Sequence, residues 1–456
     1  MNSLDYPTVD LFLYDLYSGL GKNEEEVDRD RRRFWSRIYD ENYIEQNITQ
    51  LKKNEQNFSH YIELLDARIK PFDAPLDGYY YPVKLGDTLA LQIDCAGRNN
   101  DPEWEQLSLP EKLQELKKIV RGHTTKIPPK LGQSWLFWGK LATPEQQPEE
   151  IARTCYETLE ICDRANWKRD LKGQGQYRGA TLYELEQPDT LLDGQNLSHH
   201  LIICLFPHEK TEPEISRIIG QLYRDLIPLF HYRSKILWVY EKSRELKESL
   251  KKASVQMQAI IDSLSGHLDR KRLDLKLMQK DMGNALTISH YYETNLGDFQ
   301  KQQVNIEINA KNYQERFAKM RNRDRDCNLE FLEKFGESAQ DKVQQIVMDS
   351  KALSAGVQPL NSFIQTVEGI IDIERTKNER ILNDTIAIAG AGISLASLFT
   401  STIGQEETRE MVEQLFGVPN HPYLEIVLTF LPFTMSLVFG VIGVVVTMLI
   451  LRFSRK

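Results

Sequence analysis

Two long apolar runs lie near the C-terminal end of this chain. Residues 385–404 (TIAIAGAGISLASLFTSTIG) and 426–451 (IVLTFLPFTMSLVFGVIGVVVTMLIL) contain no charged side chain. A helix needs about 20 apolar residues to cross the hydrocarbon core of a bilayer, so each run is long enough to span it. The sequence therefore predicts a C-terminal hairpin of two transmembrane helices.

The charges around this hairpin predict its orientation. Basic side chains precede the first run (residues 375–380) and follow the second (residues 452–456), whereas the connecting loop, 405–425, holds five glutamates and a single arginine. Basic flanks stay on the cytoplasmic side, which predicts two cytosolic termini and an external acidic loop. The N-terminal segment MNSLDYPTVD also lacks the apolar region of a signal peptide. We expect a protein of the cytoplasmic (inner) membrane.

Composition argues against a nucleic-acid binder. The formal net charge is -9 and no broad basic stripe is present. The arginine-rich run at residues 29–33 follows three glutamates, a mixture typical of a solvated helix face. The five cysteines are scattered without a CxxC pair, which indicates reduced thiols in the cytosol.

No pattern in the sequence indicates an enzyme. Walker A, nucleophile-elbow and HExxH motifs are absent, and the near-fingerprint of glycines at 173–179 precedes a strand-like run where a nucleotide site needs a helix. The stretch HHLIICLFPH at residues 199–208 contains residue types that bind zinc. An extended strand would separate His199 from His208 by about 25–30 Å, too far for one metal ion. We therefore interpret His199, His200 and His208 as strand-end histidines and Cys204 as a buried thiol.

The first 211 residues are predicted to form an α+β cytosolic domain. Strand-like runs rich in β-branched and aromatic residues alternate with helical stretches, a pattern typical of layered folds. The strand-like runs are 9–16, 78–93, 134–141, 180–185 and 199–206, and the helical stretches are 109–120 and 149–162.

Residues 212–358 are predicted to form a long-helix, coiled-coil-like bundle. Pro213 is placed to begin a helix, and Pro228 is expected to kink or end it. Apolar residues then recur at steps of three and four, the pattern of a packed helix. They are Leu246, Leu250, Ala253, Met257, Ile260, Leu264 and Leu268. Two further helices are expected near 273–320 and 329–355.

A stalk helix is predicted to continue into the first membrane span. Pro359 is placed to begin a helix, and no further proline interrupts the chain before Gly404. A continuous helix over residues 359–404 would be about 70 Å long. Such a rod could transmit a cytosolic event to a membrane gate.

The first span carries small and polar side chains on one helix face, a stripe with two interpretations. The stripe lines a pore, where hydroxyls and an amide replace part of an ion's hydration shell, or it allows close helix packing. The candidate pore-lining residues are Asn383, Ala387, Gly390, Ser394, Ser397 and Ser401. Two helices cannot enclose an aqueous path alone, so a pore requires a homo-oligomer.

Acidic residues lie at both ends of this span. Glu406 and Glu407, with Gly404 and Gln405, would form an outer mouth that concentrates cations. Carboxylates just inside the membrane would form rings that bind Mg²⁺ or another divalent cation, or they belong to a solvated stalk. These residues are Glu368, Asp372 and Glu374.

The order of these segments resembles the CorA-type metal ion transporters. The resemblance is broad in architecture and closest over residues 359–456, from the stalk (NERILNDTIAIAGAGISLASLFTSTIG) to the basic tail LRFSRK. It implies a homopentamer whose first spans line a pore for Mg²⁺ or a similar cation. The family's Gly-Met-Asn signature at the outer end of that span is matched here only at Gly404.

Loss of this signature leaves two hypotheses open. The first is a cation channel or transporter that the cytosolic domain gates through the stalk helix. The second is a membrane-anchored sensor or effector that has kept the scaffold, has lost metal transport and binds a cytosolic small-molecule ligand or a protein.

Overall fold

The computed structural model describes residues 3–18, 23–55, 59–98, 101–122, 127–161, 165–187, 199–268, 275–324, 326–355 and 367. The chain divides into two compact units. The first comprises Met1–Glu248 and Gly297–Lys351, and the second comprises Ser249–Leu296 and Ala352–Lys456.

Strands and helices alternate in the first part of the chain, and three long helices follow. The strands are β1 (Leu4–Leu16), β2 (Tyr61–Glu63), β3 (Lys70–Pro71), β4 (Leu76–Leu85), β5 (Thr88–Arg98), β6 (Gly132–Leu141), β7 (Leu171–Tyr177), β8 (Ala180–Gln187) and β9 (His199–Phe206). The helices are α1 (Glu24–Trp35), α2 (Glu41–Asn54), α3 (Pro102–Gln106), α4 (Leu109–Gly122), α5 (Pro148–Leu159), α6 (Trp167–Asp170), α7 (Glu212–Leu268), α8 (Leu275–Asn322) and α9 (Glu330–Ala355). The α+β prediction is thus confirmed for this part of the chain.

The described strands form one mixed sheet in the first unit. Its order is β2-β4-β5-β1-β6-β9-β8-β7, with β3 paired to β4. Strands β6 and β9 are parallel, and the other paired strands are antiparallel. The run predicted at 78–93 is a hairpin of two strands. The backbone turns between them at Gly86, whose φ of +60° suits a glycine.

One face of the sheet carries the apolar core of the first unit. Side chains alternate across a strand, so Leu11 and Leu13 of β1 point to this face together with Phe137 of β6. Helices α4 and α5 cover it with Leu113, Leu116, Ile151 and Leu159, all buried. Helix α1 contributes Phe34 and Trp35.

Helix α1 is less solvated than the sequence pattern indicates. Arg31 is buried and its Nε donates hydrogen bonds to both Glu55 oxygens, at 2.8 and 3.0 Å. Arg29 is exposed, as expected for a solvated face. The prediction for the 29–33 run is therefore wrong at Arg31, because a charge buried in this way needs a partner that local sequence does not reveal.

The carboxylate of Glu214 caps the N-terminus of helix α7. The backbone N–H and the hydroxyl of Thr211 both donate to Glu214 Oε2, at 3.0 and 2.8 Å, and Pro213 occupies the first turn as predicted. Pro228 does not end the helix, which is 57 residues long and continues to Leu268. Proline cannot donate to the carbonyl four residues earlier, and the Arg316 guanidinium donates to that carbonyl of Arg224 instead.

The connection between α8 and α9 closes the β7 edge of the sheet. Gln176 N donates to Asn328 O at 2.8 Å, and Asn328 N donates to Gln176 O at 2.9 Å. A Cβ at Gly175 would lie 2.1 Å from Asn328 O, and one at Gly173 would lie 2.7 Å from Phe331 Cβ. These glycines allow close backbone approach, and a strand follows them as the sequence predicts.

The second unit contains the other parts of the long helices. Leu250, Ala253 and Met257 of α7 are buried, which confirms the apolar seam at these positions. In the same unit the Tyr292 hydroxyl of α8 donates to Leu353 O of α9 at 2.7 Å. The long helices predicted for 273–320 and 329–355 are confirmed within a few residues.

Both predicted membrane spans lie outside the described residues. Within the described part of the chain, no helix combines the length and the apolar character that crossing a bilayer requires. The stalk from Pro359, the external loop 405–425 and the tail also lie outside it, apart from Val367, which is helical.

Candidate functional site: a polar layer beneath helix α7

The site residues predicted from sequence lie outside the part of the chain that the structure describes. These are Asn383, Ala387, Gly390, Ser394, Ser397 and Ser401 of the first span, Gly404, Gln405, Glu406 and Glu407 of the outer mouth, and Glu368, Asp372 and Glu374 of the inner acidic group. Their assignments stay predictions.

A different set of polar residues is brought together in the first unit, on the sheet face that α7 covers. We call this set the polar layer. It consists of a carboxyl cluster (Asp10, Gln92, Asp94, Trp138 and Tyr223) and a histidine–arginine network (Ser134, Glu184, Glu186, His200 and Arg233). The side chains of Asp10, Gln92, Ser134, His200 and Arg233 are all less than 5% exposed.

The carboxyl cluster is built on a cross-strand pair. Asp10 of β1 lies directly opposite Asp94 of β5 in the antiparallel register. Tyr223 of α7 places its hydroxyl oxygen 2.8 Å from Asp10 Oδ2 and 2.9 Å from Asp94 Oδ2. Trp138 Nε1 donates to that hydroxyl at 2.9 Å, and Gln92 Nε2 donates to Asp10 Oδ1 at 2.8 Å.

Burial dominates the electrostatics of this cluster. Loss of hydration raises the pKa of Asp94 to about 6, and it raises the pKa of Asp10 well above its ordinary value, with the neighbouring Asp94 charge as the next cause. Burial likewise raises the pKa of the Tyr223 hydroxyl. The cluster is therefore suited to hold a proton, and Tyr223 stays a neutral phenol.

The histidine–arginine network includes a Ser–His–Glu arrangement. His200 Nδ1 is 3.0 Å from Ser134 Oγ, and His200 Nε2 is 3.0 Å from Glu184 Oε1. Burial, and next the positive charge of Arg233, lower the pKa of His200, so the ring is neutral at physiological pH. The ring is 1% exposed and lies edge-on to Phe230 of α7, with 5.1 Å between the ring centres. A nucleophile must meet its substrate, so this buried arrangement stabilises the fold rather than acting as a hydrolase triad.

Arg233 joins the sheet to two of the long helices. Its guanidinium lies 2.5 Å from Glu186 and 3.7 Å from Glu184, both on β8. The same group stacks over the Phe335 ring of α9, 4.2 Å from the ring centre. The positive charge of Arg233 lowers the pKa of Glu186 to about 2. Arg233 is thus a buried cation with two anionic partners and an aromatic one.

Further hydrogen bonds fix the register of α7 on the sheet. The Tyr14 hydroxyl donates to Ile227 O at 2.8 Å, and His231 Nε2 is 3.0 Å from Thr88 Oγ1. Gly132 leaves room for Ser234 of α7, because a Cβ at position 132 would lie 2.8 Å from the Ser234 hydroxyl oxygen. The chemical capacity of the polar layer is to hold α7 in one position through directional, titratable contacts.

Sequence reasoning missed the polar layer, although a signal was present. Asp10 and Asp94 interrupt apolar strand runs, DLFLYDL and LALQIDC, at alternate positions that face away from the apolar core. An acidic residue within such a run requires either a buried hydrogen-bonding partner or a solvent-exposed face of the sheet. The partner is Tyr223, more than a hundred residues away from either aspartate, and no local pattern connects them.

No metal centre is found among the described residues, where no group of three or more His, Cys, Asp or Glu side chains is placed to hold an ion. Cys204 is a buried free thiol, as predicted. Buried His200, bonded to Ser134 and Glu184, is more than a strand-end histidine. Cys95, Cys155 and Cys327 are also free thiols.

Comparison with known proteins gives no family for this chain. No known protein family matches it, and no curated protein of similar sequence is found.

Proposed function

We propose that this protein is a CorA-like, oligomeric membrane channel or transporter for divalent cations, gated by its N-terminal domain through a long stalk helix. The observation that carries the proposal is the pair of uncharged runs, 385–404 and 426–451, at the end of the chain. Each is long enough to span a bilayer, and the acidic loop between them would attract cations.

The fixed position of α7 on the sheet supports the gating part of the proposal. A gate can be driven only by an element that has a defined position relative to the sensing domain. The polar layer gives α7 such a position on the sheet, through Tyr223, Arg233 and the Tyr14 hydrogen bond. The helices that follow α7 lead along the chain to the proposed stalk.

The proposal assigns the ion path to an assembly of several chains, for which a pentamer is the expected state. The stripe Asn383, Gly390, Ser394 and Ser397 would line the path, and Glu406 would lie at its outer mouth. Asp372 and its acidic neighbours on the stalk would sense the cation from inside. The polar stripe and the acidic stalk support these roles because hard cations prefer oxygen ligands.

Cation flux into liposomes that contain the purified full-length protein tests the proposal. Ser394→Leu would narrow the path and is expected to reduce Mg²⁺ flux at least about tenfold, because a hydrophobic constriction stops ion conduction. Ser394→Ala is the matched control and should retain most of the flux, since it removes the hydroxyl without adding bulk. Equal flux in wild type and Ser394→Leu would contradict the pore assignment.

A second candidate function is a membrane-anchored sensor or effector. The observation in its favour is the sequence Gly404-Gln405-Glu406, where the CorA-type signature would place methionine and asparagine after the glycine. The mass of the detergent-solubilised assembly separates the two candidates. A monomer or dimer without flux would favour the anchored sensor, whereas five chains with flux would favour the channel.

A further inference from the structure

The carboxyl cluster has more hydrogen-bonding distances between polar atoms than the N–H and O–H groups of Gln92, Trp138 and Tyr223 can account for. A phenol has one proton to donate, and the Tyr223 oxygen already accepts the N–H of Trp138 at 2.9 Å. Yet that oxygen lies within 2.8 Å of Asp10 and 2.9 Å of Asp94. The Tyr223 proton can satisfy one carboxylate only. The other carboxyl group therefore needs a second proton, which the Asp10–Asp94 pair must retain.

Among the residues that the structure describes, no positive charge replaces this proton. The titratable groups that face the pair are Asp77 and Tyr79 from β4, Cys95 from β5 and Tyr223 from α7, all acidic or neutral. From β6 the cluster receives the neutral Trp138. Among the described residues, no lysine, arginine or histidine forms an ion pair with Asp10 or Asp94. Two unpaired carboxylates at this depth would repel each other and lose their hydration.

We propose that the carboxyl cluster is a proton-held latch: a proton retained between Asp10 and Asp94 seats Tyr223, and with it helix α7, on the sheet. Loss of that proton would leave two anions around one phenol and weaken this seat. Burial raises the pKa of both carboxyls, to about 6 at Asp94 and well above the ordinary value at Asp10, so Asp10 is the carboxyl that retains the proton. A group with a raised pKa in the folded state stabilises that state at low pH, and this contribution is lost as pH rises. Alkalinisation should therefore release α7.

This inference does not depend on ion transport, because it concerns only α7 and the sheet. The two proposals can therefore fail separately. If the chain is a channel, the latch would make its gate sensitive to cytosolic pH. If it is an anchored sensor, the latch would make its active state pH-dependent instead.

Infrared spectroscopy of the full-length protein in detergent tests the retained proton directly. A protonated carboxylic acid has a C=O stretch separate from that of a carboxylate. We expect this band at pH 7 in the wild type and its loss in Asp10→Asn, whose amide keeps the Gln92 bond and donates to Tyr223. Asp94→Asn is the equivalent change on the neighbouring strand. Glu157→Gln, at an exposed carboxylate of α5, is the matched control and should keep the band.

Hydrogen exchange tests the latch itself. After correction for the intrinsic effect of pH, amides of residues 219–229 in α7 should lose at least about tenfold in protection between pH 6 and pH 9. Residues 148–159 of α5, on the other face of the sheet, are the internal reference and should not change. In Asp10→Asn the α7 protection should no longer depend on pH. The proposal would be overturned by absence of the protonated band at pH 7, or by equal pH dependence of α7 in wild type and Asp10→Asn.

Discussion

The two faces of the sheet are held to their covering helices by different physical means. The face beneath α4 and α5 is an apolar core, in which Leu11, Phe137 and Leu113 are fully buried. The face beneath α7 combines apolar residues such as Phe12 and Phe230 with the polar layer. Apolar burial stabilises by about 25 cal/mol per Å² and has little directional preference. Buried hydrogen bonds and ion pairs add less net energy but demand one geometry.

This difference indicates a division of labour. An apolar interface contains few titratable groups, so a change of pH has little effect on its geometry. A polar interface loses stability when a single proton or partner is removed, so its position depends on the surroundings. The apolar face is therefore the permanent part of the fold. The proposed latch would make the α7 face the part of the described chain in which a change of pH alters the position of a helix.

The largest expected effect comes from removing Arg233. Arg233→Leu leaves the buried Glu184 and the partly exposed Glu186 without their cation, which should lower the free energy of unfolding by about 3 kcal/mol. Thermal or denaturant unfolding of the full-length protein in detergent measures the change. When unfolding is monitored by hydrogen exchange, the unfolding midpoint of α7 should fall more than the unfolding midpoint of α5.

A rescue variant distinguishes lost charge balance from lost packing. Adding Glu184→Gln and Glu186→Gln to Arg233→Leu removes the two unpaired charges and should recover part of the stability. Failure of the triple variant to recover any stability would show that the Phe335 stack, rather than the ion pairs, is what Arg233 contributes.

An intermediate effect is expected from acid. The pKa of Glu186 falls from 4.5 to about 2 in the folded state, so Glu186 stabilises that state above its unfolded pKa, and this contribution is lost as pH falls towards 2. Allowing for its partial exposure, the loss between pH 6 and pH 2 should be on the order of 2 kcal/mol. Unfolding measured across this range should show a smaller acid loss in Glu186→Gln.

The two parts of the polar layer respond to pH in opposite directions. Glu186 stabilises the α7 face as pH rises from about 2 to 5, whereas the carboxyl cluster, with the pKa of Asp94 raised to about 6, opposes it at higher pH. The exposed variant Glu157→Gln is the control for general acid effects. An identical acid loss in Glu186→Gln and wild type would contradict the assigned role of Arg233.

The fold could be predicted from sequence where the pattern is local. Alternating apolar residues located β1, β6, β8 and β9, and the three- and four-residue steps located the long helices. Pro228 was expected to kink or end α7 and does not end it; the carbonyl that it leaves free, on Arg224, accepts a hydrogen bond from Arg316, 92 residues away. The pairing of β6 with β9 also depends on contacts distant in sequence.

The polar layer could not be predicted because each of its pairs is non-local. Asp10, Asp94 and Tyr223 lie on three elements, and only the sheet register places the two aspartates opposite each other. The glycines at 173 and 175 were visible in the sequence as a near-fingerprint of a nucleotide site. Their physical role is different, because they make room for the connection between α8 and α9. A sequence shows that a polar residue occurs within an apolar run, but only the fold shows its partner.

The variant with the smallest expected effect, Tyr14→Phe, tests whether hydrogen bonds hold α7 in position on the sheet. Tyr14→Phe removes the hydroxyl that donates to Ile227 O at 2.8 Å and should cost about 1 kcal/mol, the usual net value of a neutral hydrogen bond. Tyr177→Phe is the matched comparison, because the buried Tyr177 hydroxyl has no hydrogen-bond partner among the described residues. Removing that hydroxyl relieves a desolvated group, so Tyr177→Phe should be neutral or slightly stabilising. Unfolding curves for the two variants, recorded side by side, measure the difference. Equal costs at both positions would mean that ring packing rather than hydrogen bonding seats α7, and the contrast between the two faces would then be one of degree.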